Sequence, residues 1–322
     1  MEHLSAFAKH DFNYKFLIRM DVKQILIIDD EAVQAQVLTA TIKEIFPEAN
    51  VFFASGKEEI EYCIENKFYN LVLLDLRMDC YEFDGMSLAQ RIIEINPFSK
   101  ILFVSKFIAE YMPQLSKMLA RGEVIGFSEK RTYDEWKPEL KNIIEEYYFS
   151  IENEPSKVNA ALLSYYMDLK NENDAFKKGK KYEDFIAILF RSIGFQEIMK
   201  RVKDESLNEV DLVIRNDIKD EFLSKFGKYI LIECKNKPDT KTDKNDYIVF
   251  HSKLENASNM AELGFLFTTS SVTRNTYIEA ARNSKSNKKV IIIDNVAMSQ
   301  LLQYDNLKEG LKKIIDSQVK DN

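Results

Sequence analysis

Five short apolar runs occupy the first 130 residues, and each is followed by a polar side chain. Gln24-Ile25-Leu26-Ile27-Ile28 ends in Asp29-Asp30-Glu31, Val51-Phe52-Phe53-Ala54 follows, and Leu71-Val72-Leu73-Leu74 ends at Asp75. Ile101-Leu102-Phe103-Val104 leads to Ser105, and Val124-Ile125-Gly126-Phe127 leads to Lys130. Between them lie stretches of helical spacing: Val33, Val37, Ile42 and Ile45 before Pro47, then Ile60 and Ile64, then Met86 to Ile95 before Pro97. Strands alternating with helices predict an open parallel sheet, and continuous apolar strands predict that both of its faces are covered. This arrangement is expected over residues 22–150, after an N-terminal extension over 1–21.

In a parallel sheet the acids after strands one and three converge at the carboxyl edge, where ligands collect. Three carboxylates a few ångströms apart repel by roughly 1–4 kcal/mol per pair at surface-like dielectric, and a divalent cation relieves that. A hydroxyl from Ser105 and an ammonium from Lys130 join the same edge. These residues resemble the response-regulator receiver domain. The resemblance implies that Asp29, Asp30 and Asp75 hold Mg²⁺ and that Asp75 is the phospho-acceptor. It implies Ser105, Phe127 and Lys130 as switch residues, Lys130 matching the family's invariant lysine. A sensor histidine kinase or phosphotransfer protein would supply the phosphoryl group. Two departures stand out. The segment Leu76 to Gly85 is about two residues longer than the family pattern and lacks its proline, and Arg131 follows Lys130 where proline is usual.

A helical connector follows. Leu140, Ile143, Ile144, Tyr147, Tyr148 and Ile151 recur at helical spacing, Asn153-Glu154-Pro155 interrupts them, and Ser156 is a candidate N-cap for a second helix through Val158, Leu162, Tyr165, Tyr166 and Leu169. This second helix, in a linker over 151–173, either packs on its own domain or couples the two halves or a dimer. The third region, 174–322, opens with a helix over Tyr182–Ser192 capped by Gly194. Strands are expected at Glu209–Ile214, Tyr229–Cys234, Leu263–Thr268 and Val290–Ile293, with a helix near Thr273–Ala281 and amphipathic helices in the tail.

Glu233-Cys234-Lys235 closes the second of these strands. Side chains alternate along a strand, so Glu233 and Lys235 share a face. With Asp211 on a neighbouring strand, two carboxylates and one ammonium meet. That set suits phosphodiester cleavage: carboxylates hold a divalent ion, and the lysine steadies negative charge or the attacking water. Asp211, Glu233 and Lys235, with Glu183 on the preceding helix, resemble the PD-(D/E)xK restriction-endonuclease-like superfamily, closest to its Mrr-like branch. The resemblance extends over about 178–295 and includes Gly194-Phe195 and Gly264 to Thr269 with Ser270. It implies an α/β/α domain with a mixed sheet, Mg²⁺ or Mn²⁺ on Asp211 and Glu233, an assisting role for Glu183 and water positioning by Lys235. His251 and Lys253 either face this cleft or are structural. Thr269, Ser270 and Arg274 either contact phosphate or form a bonded turn.

The net charge of −7 is unevenly spread. Residues 171–322 hold 26 of the 45 basic side chains and 24 of the 52 acids, a net +2 against −9 elsewhere. Lys178, Lys180, Lys181 and Lys237, with Lys177, Lys241 and Lys244 nearby, are the candidate phosphate contacts, and no zinc module or recognition helix offers base readout. Three scattered cysteines fit a reducing cytoplasm, and no apolar run reaches membrane-spanning length. The expectation is a cytoplasmic, phosphorylation-controlled nuclease that cuts DNA and acts as a homodimer. A non-cutting regulator that binds nucleic acid or protein, and a nuclease for RNA or single strands, are the alternatives.

Overall fold

The protein is an α/β chain with two five-stranded sheets, seen in a computed structural model that describes residues 23–131, 133–152, 155–172, 174–203, 209–257, 260–283 and 286–320. The extension expected over 1–21 lies outside the described residues. The first sheet comprises β1 (Gln24–Ile28), β2 (Asn50–Ala54), β3 (Leu71–Leu74), β4 (Lys100–Val104) and β5 (Val124–Ser128). All four pairings are parallel, in the order β2-β1-β3-β4-β5. Every residue of β1 and β3 is buried, as a sheet with helices on both faces requires.

Helix α1 (Ala32–Ile45) departs from the apolar stripe read off its spacing. Val33 and Val37 are exposed, and the face turned inward carries Ala35, Leu38, Thr39, Thr41 and Ile42. Two threonines can be buried there because their hydroxyls donate to Ala35 O (2.7 Å) and Val37 O (2.9 Å). Helices α2 (Lys57–Asn66), α3 (Gly85–Ile95) and α4 (Ile108–Ala120) complete the crossovers. Asp84 caps α3 by accepting from Ser87 N at 2.9 Å. Gly85 then lies so close to strand β3 that a Cβ would meet Asp75 O at 1.9 Å, and only glycine fits.

Helix α5 (Tyr133–Glu152) ends where the Asn153-Glu154-Pro155 interruption was expected, although Asn153 and Glu154 themselves lie outside the described residues. Pro155 is the first residue of α6 (Pro155–Leu169), a position where its missing N–H costs nothing, so Ser156 lies within the helix instead of capping it. Leu162, Tyr166 and Leu169 are buried. Asn159 donates to Tyr304 O at 2.8 Å and Tyr166 Oη to Asn295 Oδ1 at 3.2 Å, so α6 is fastened to the C-terminal half.

Helix α7 (Ala175–Ile193) starts well before Tyr182, with Asp174 as its N-cap, and stops at Gly194, whose φ of 119° is left-handed. The second sheet runs β10 (Lys289–Ile293), β9 (Ala261–Thr268), β8 (Tyr229–Lys235), β7 (Glu209–Arg215) and β6 (Ile198–Lys203). β10, β9 and β8 pair in parallel, whereas β8–β7 and β7–β6 are antiparallel, which makes the sheet mixed. β6, rich in basic residues at the sheet edge, escapes the alternation rule that locates the others. The apolar run Tyr247–Phe250 belongs to helix α8 (Lys244–Asn256), started by an Asp243/Asp246 capping box. Helices α9 (Arg274–Arg282), α10 (Asn295–Leu301) and α11 (Leu307–Lys320) finish the domain.

Candidate functional site

The carboxyl ends of β1 and β3 bring Asp29, Asp30 and Asp75 together, with ligand oxygens all within 4.8 Å of one another. Lys130 Nζ enters from beyond β5 and donates to Asp29 Oδ2 (2.6 Å), to Gln34 Oε1 (2.6 Å) and to Asp75 Oδ2. Burial pushes the Asp29 carboxyl up, although Lys130 opposes it. Burial also works against the Lys130 charge, yet its two carboxylate partners hold it above the ordinary lysine range. Three acids against one ammonium leave an excess of negative charge. The donors are hard oxygens, the kind a divalent cation takes. Ser105 is fully buried, with its Oγ accepting from Phe107 N at 3.3 Å, and Phe127 is partly buried at the core edge.

The lengthened loop after Asp75 is anchored. Leu76 and Met78 are buried, Cys80 N donates to Asp30 Oδ2 at 3.0 Å, and Tyr81 Oη reaches Ser55 O. Tyr81 and Phe83 stack with centroids 5.2 Å apart. These contacts hold the lengthened loop against the sheet edge that carries Asp30 and Asp75.

In the second domain β7 and β8 pair with Leu212 opposite Ile232. One step further in that register sets Asp211 opposite Glu233. Asp211 Oδ2 accepts the Cys234 N–H at 2.6 Å, and Lys235 Nζ lies 2.8 Å from Glu233 Oε1. The opposite oxygen, Glu233 Oε2, accepts from Lys253 Nζ at 2.9 Å, and that lysine also donates to Glu209 O. Lys253 therefore belongs to this cluster, whereas His251 stacks on Tyr247. Burial, then the neighbouring Glu233 charge, pushes the Asp211 carboxyl up to about 6. Lys235 is held above its ordinary range by Glu233 despite burial.

Glu183, on α7, lies near enough to Asp211 to feel its charge. Burial pushes its carboxyl up to about 7; Arg201 opposes this and the Asp211 charge adds to it. Arg201 Nε lies 3.0 Å from Glu183 Oε2. Neither Arg201 nor the strand that carries it was marked by the sequence pattern. The carboxylates of Asp211, Glu233 and Glu183 fit a hard divalent ion in donor chemistry, although three cations already face them. Among the described residues the cluster around Asp75 is the one that closes three ligands within 4.8 Å.

The candidate phosphate-contact lysines are differently placed. Lys180 pairs with Glu65 of α2, on the receiver side, at 2.8 Å and remains partly exposed. Lys181 pairs with Glu172, and Lys237 with Asp246 at 3.1 Å, both leaving the lysine partly exposed. Lys178 offers its carbonyl to Asn236 at 2.8 Å. Thr269 and Ser270 are buried and bonded within the fold, Thr269 Oγ1 to Asn236 at 2.9 Å and Ser270 Oγ to Ser271 O at 3.1 Å.

Residues 25–125 match the family model described as response regulator receiver domain, and residues 177–302 match the model described as restriction endonuclease. The chain joins a receiver domain to a restriction-endonuclease-like domain. Together the two matches support a response regulator with a nuclease output. Solved structures similar to the receiver half include a CheY-like receiver protein from Methanospirillum hungatei (25% identity, 41% of this chain and 98% of that one, TM-score 0.34). Another is the response regulator TrrA from Thermotoga maritima in complex with Mg²⁺ and BeF (24%, 38% and 99%, TM-score 0.31). A third is described as adenylate cyclase from Rhodopirellula baltica (19%, 41% and 95%, TM-score 0.33). A search of curated proteins found no match. The receiver implies a kinase or phosphotransfer partner, and the nuclease-like domain implies nucleic acid. Among the described residues no helix is long and apolar enough to cross a membrane.

Proposed function

We propose that this chain is a cytoplasmic response regulator whose output is metal-dependent endonucleolytic cleavage of DNA, controlled by phosphorylation of Asp75. The observation that carries the reading is the convergence of Asp211, Glu233 and Lys235 on paired strands of a domain joined to a receiver. In the receiver, an Asp75 oxygen attacks the donor phosphorus, and the phosphorus–nitrogen bond of a partner phosphohistidine breaks. Lys130 stays beside the new phosphoryl group and offsets its charge. Asp29 and Asp30, with Asp75, would hold Mg²⁺.

In the nuclease domain, Asp211 and Glu233 would hold Mg²⁺ or Mn²⁺, with Glu183 assisting. A bound divalent ion neutralises phosphate charge and acidifies water. Lys235 sits on the Glu233 side of the pair, where it orients the attacking water or meets charge developing on the phosphate. Water adds to phosphorus and gives up one proton to solvent, one phosphorus–oxygen bond of the backbone breaks, and the departing alkoxide takes a proton back from solvent, so that a phosphomonoester and an alcohol are left. Lys178, Lys181 and Lys237 are the backbone contacts in this reading, which would make affinity fall steeply with salt. Phosphorylation acts through a homodimer that aligns two nuclease sites. Shifting that population from about 1:99 to 99:1 requires about 5.5 kcal/mol of preference for the active state.

The test is cleavage of supercoiled plasmid by the full chain with Mg²⁺ or Mn²⁺, with and without a small phosphodonor. Wild type is expected to cut, Lys235→Ala is not, and Asp75→Asn is expected to lose the response to the donor. Plasmid that stays intact while labelled RNA or single strands are cut would move the substrate. Binding without any cutting would replace the catalytic reading with the non-catalytic one.

A further inference from the structure

Arg201 has the one left-handed backbone among the described non-glycine residues, with φ of 51°. Such a conformation costs roughly 1–2 kcal/mol and persists only where surrounding contacts enforce it. The register explains what it achieves. Lys200 pairs with Leu212 and Val202 with Val210, so Arg201 falls opposite Asp211, at the position the β6–β7 pairing skips. In a regular strand, neighbouring side chains point to opposite faces. Here Lys200 and Arg201 both reach α7: Lys200 bonds Asp184, and Arg201 bonds Glu183 at 3.0 Å. The turn at Arg201 brings two adjacent cations onto two adjacent acids of the helix.

The receiver touches both partners of this joint. Glu65 holds Lys180 of α7 at 2.8 Å, one turn before Asp184. Phe68, beyond the end of α2, lies under Lys200 of β6, with the ammonium 4.4 Å from the ring centroid. The Lys200–Asp184 pair is almost wholly buried, with both side chains about 5% exposed or less. An aromatic face and a carboxylate from the receiver therefore grip the helix that carries Glu183 and the strand that carries Arg201.

We propose that Arg201 is a positioning residue that sets Glu183 in the nuclease site, and that the receiver acts on that site by bracing the α7–β6 joint through Phe68 and Glu65. The proposal rests on the nuclease reading and names how the receiver reaches the site. It requires no phosphate contact from Arg201. The guanidinium holds an acid in place, and the strained backbone makes that hold dependent on the neighbouring contacts. Loosening the receiver side should release β6 locally without unfolding either domain.

The experiment uses the full chain and four variants: Arg201→Gly, Arg201→Lys, Phe68→Leu and the double variant Phe68→Leu/Arg201→Gly. Glycine accepts the left-handed backbone, so Arg201→Gly isolates the loss of the guanidinium from strain. With Mn²⁺ and plasmid, Arg201→Gly is expected to lower kcat about tenfold while KM stays within about twofold, and Arg201→Lys to recover part of the loss. Phe68→Leu is expected to lower kcat in the same direction. The double variant should be no worse than Arg201→Gly alone, because both changes act through one joint. Hydrogen exchange of the β6 amides provides a second readout, expected to quicken in Phe68→Leu with the sheet core unchanged. Full kcat in Arg201→Gly, or losses that simply multiply in the double variant, would overturn the proposal. If wild type cuts no nucleic acid, the nuclease reading fails, and hydrogen exchange alone decides the joint: β6 protection indifferent to Phe68→Leu would sink it.

Discussion

The two acidic sites of this chain differ in how their charge is balanced. At the receiver edge, Asp29, Asp30 and Asp75 face one ammonium, that of Lys130. In the nuclease domain, Asp211, Glu233 and Glu183 face three cations, Lys235, Lys253 and Arg201. The first arrangement keeps a net negative charge that a small cation would neutralise. The second is compensated from within, and both oxygens of Glu233 are already engaged by lysines. Cations of this kind offset part of the cost of burying carboxylates beside one another, and they let an incoming phosphate meet cations as well as acids. A receiver site built for an ion and a nuclease site built for an ion together with an anion would look like this pair.

The sharpest way to separate the two is Lys235→Ala. We expect nuclease activity to fall at least about 100-fold, with phosphorylation of Asp75 from a small donor unchanged by mass spectrometry. Loss of both would mean that the substitution damages the whole chain.

Gly85→Ala is the matching test on the receiver side. Its methyl would press on the Asp75 backbone carbonyl, and we expect a loss of about 2–3 kcal/mol in receiver stability by urea unfolding, together with slower phosphorylation. Unchanged stability would mean that the Asp75 loop yields more readily than its contacts suggest.

The pH dependence distinguishes the sites next. Asp211 is raised to about 6 and Glu183 to about 7, so in the folded metal-free state both favour their protonated forms. Their contribution to stability is present below the unfolded carboxyl range and is lost as pH rises through about 6–7. Asp211→Asn should therefore stabilise the metal-free chain by about 1–3 kcal/mol at pH 8 and by little at pH 4. Mn²⁺ affinity at this site should weaken as pH falls below about 7, since the ion must displace those protons. Calorimetric titration across that range checks both statements. The smallest effect is expected at Asp243: replacing it by alanine removes the α8 capping box and should cost about 1 kcal/mol with little change in kcat.

Much of this was legible in the sequence because strands and their terminal residues are local signals. The five receiver strands, the Gly194 cap and the facing of Glu233 and Lys235 follow from period and punctuation, whereas the mixed second sheet was implied by the resemblance alone. What escaped depends on partners distant in the chain. Val33 and Val37 fit a helical stripe equally well, but the face turned inward carries Ala35, Leu38 and Ile42 with Thr39 and Thr41, whose hydroxyls bond back to the helix backbone. β6 is a basic edge strand whose lysine and arginine meet acids sixteen and eighteen residues earlier, and no apolar period marks it. Lys253 lies twenty residues from Glu233 and reaches it only because α8 folds back over β8. Lys180 reads as a surface charge until α2 of the other domain is set against it.

The most direct measurement is anomalous diffraction from crystals of the full chain grown with Mn²⁺ and a short uncleavable phosphorothioate duplex. Two manganese peaks are expected, one among Asp29, Asp30 and Asp75 as an internal reference, and one touching the carboxylates of Asp211 and Glu233 beside the duplex backbone. A filled receiver site with no manganese at Asp211 and Glu233, and the duplex lodged elsewhere on the molecule, would contradict the account.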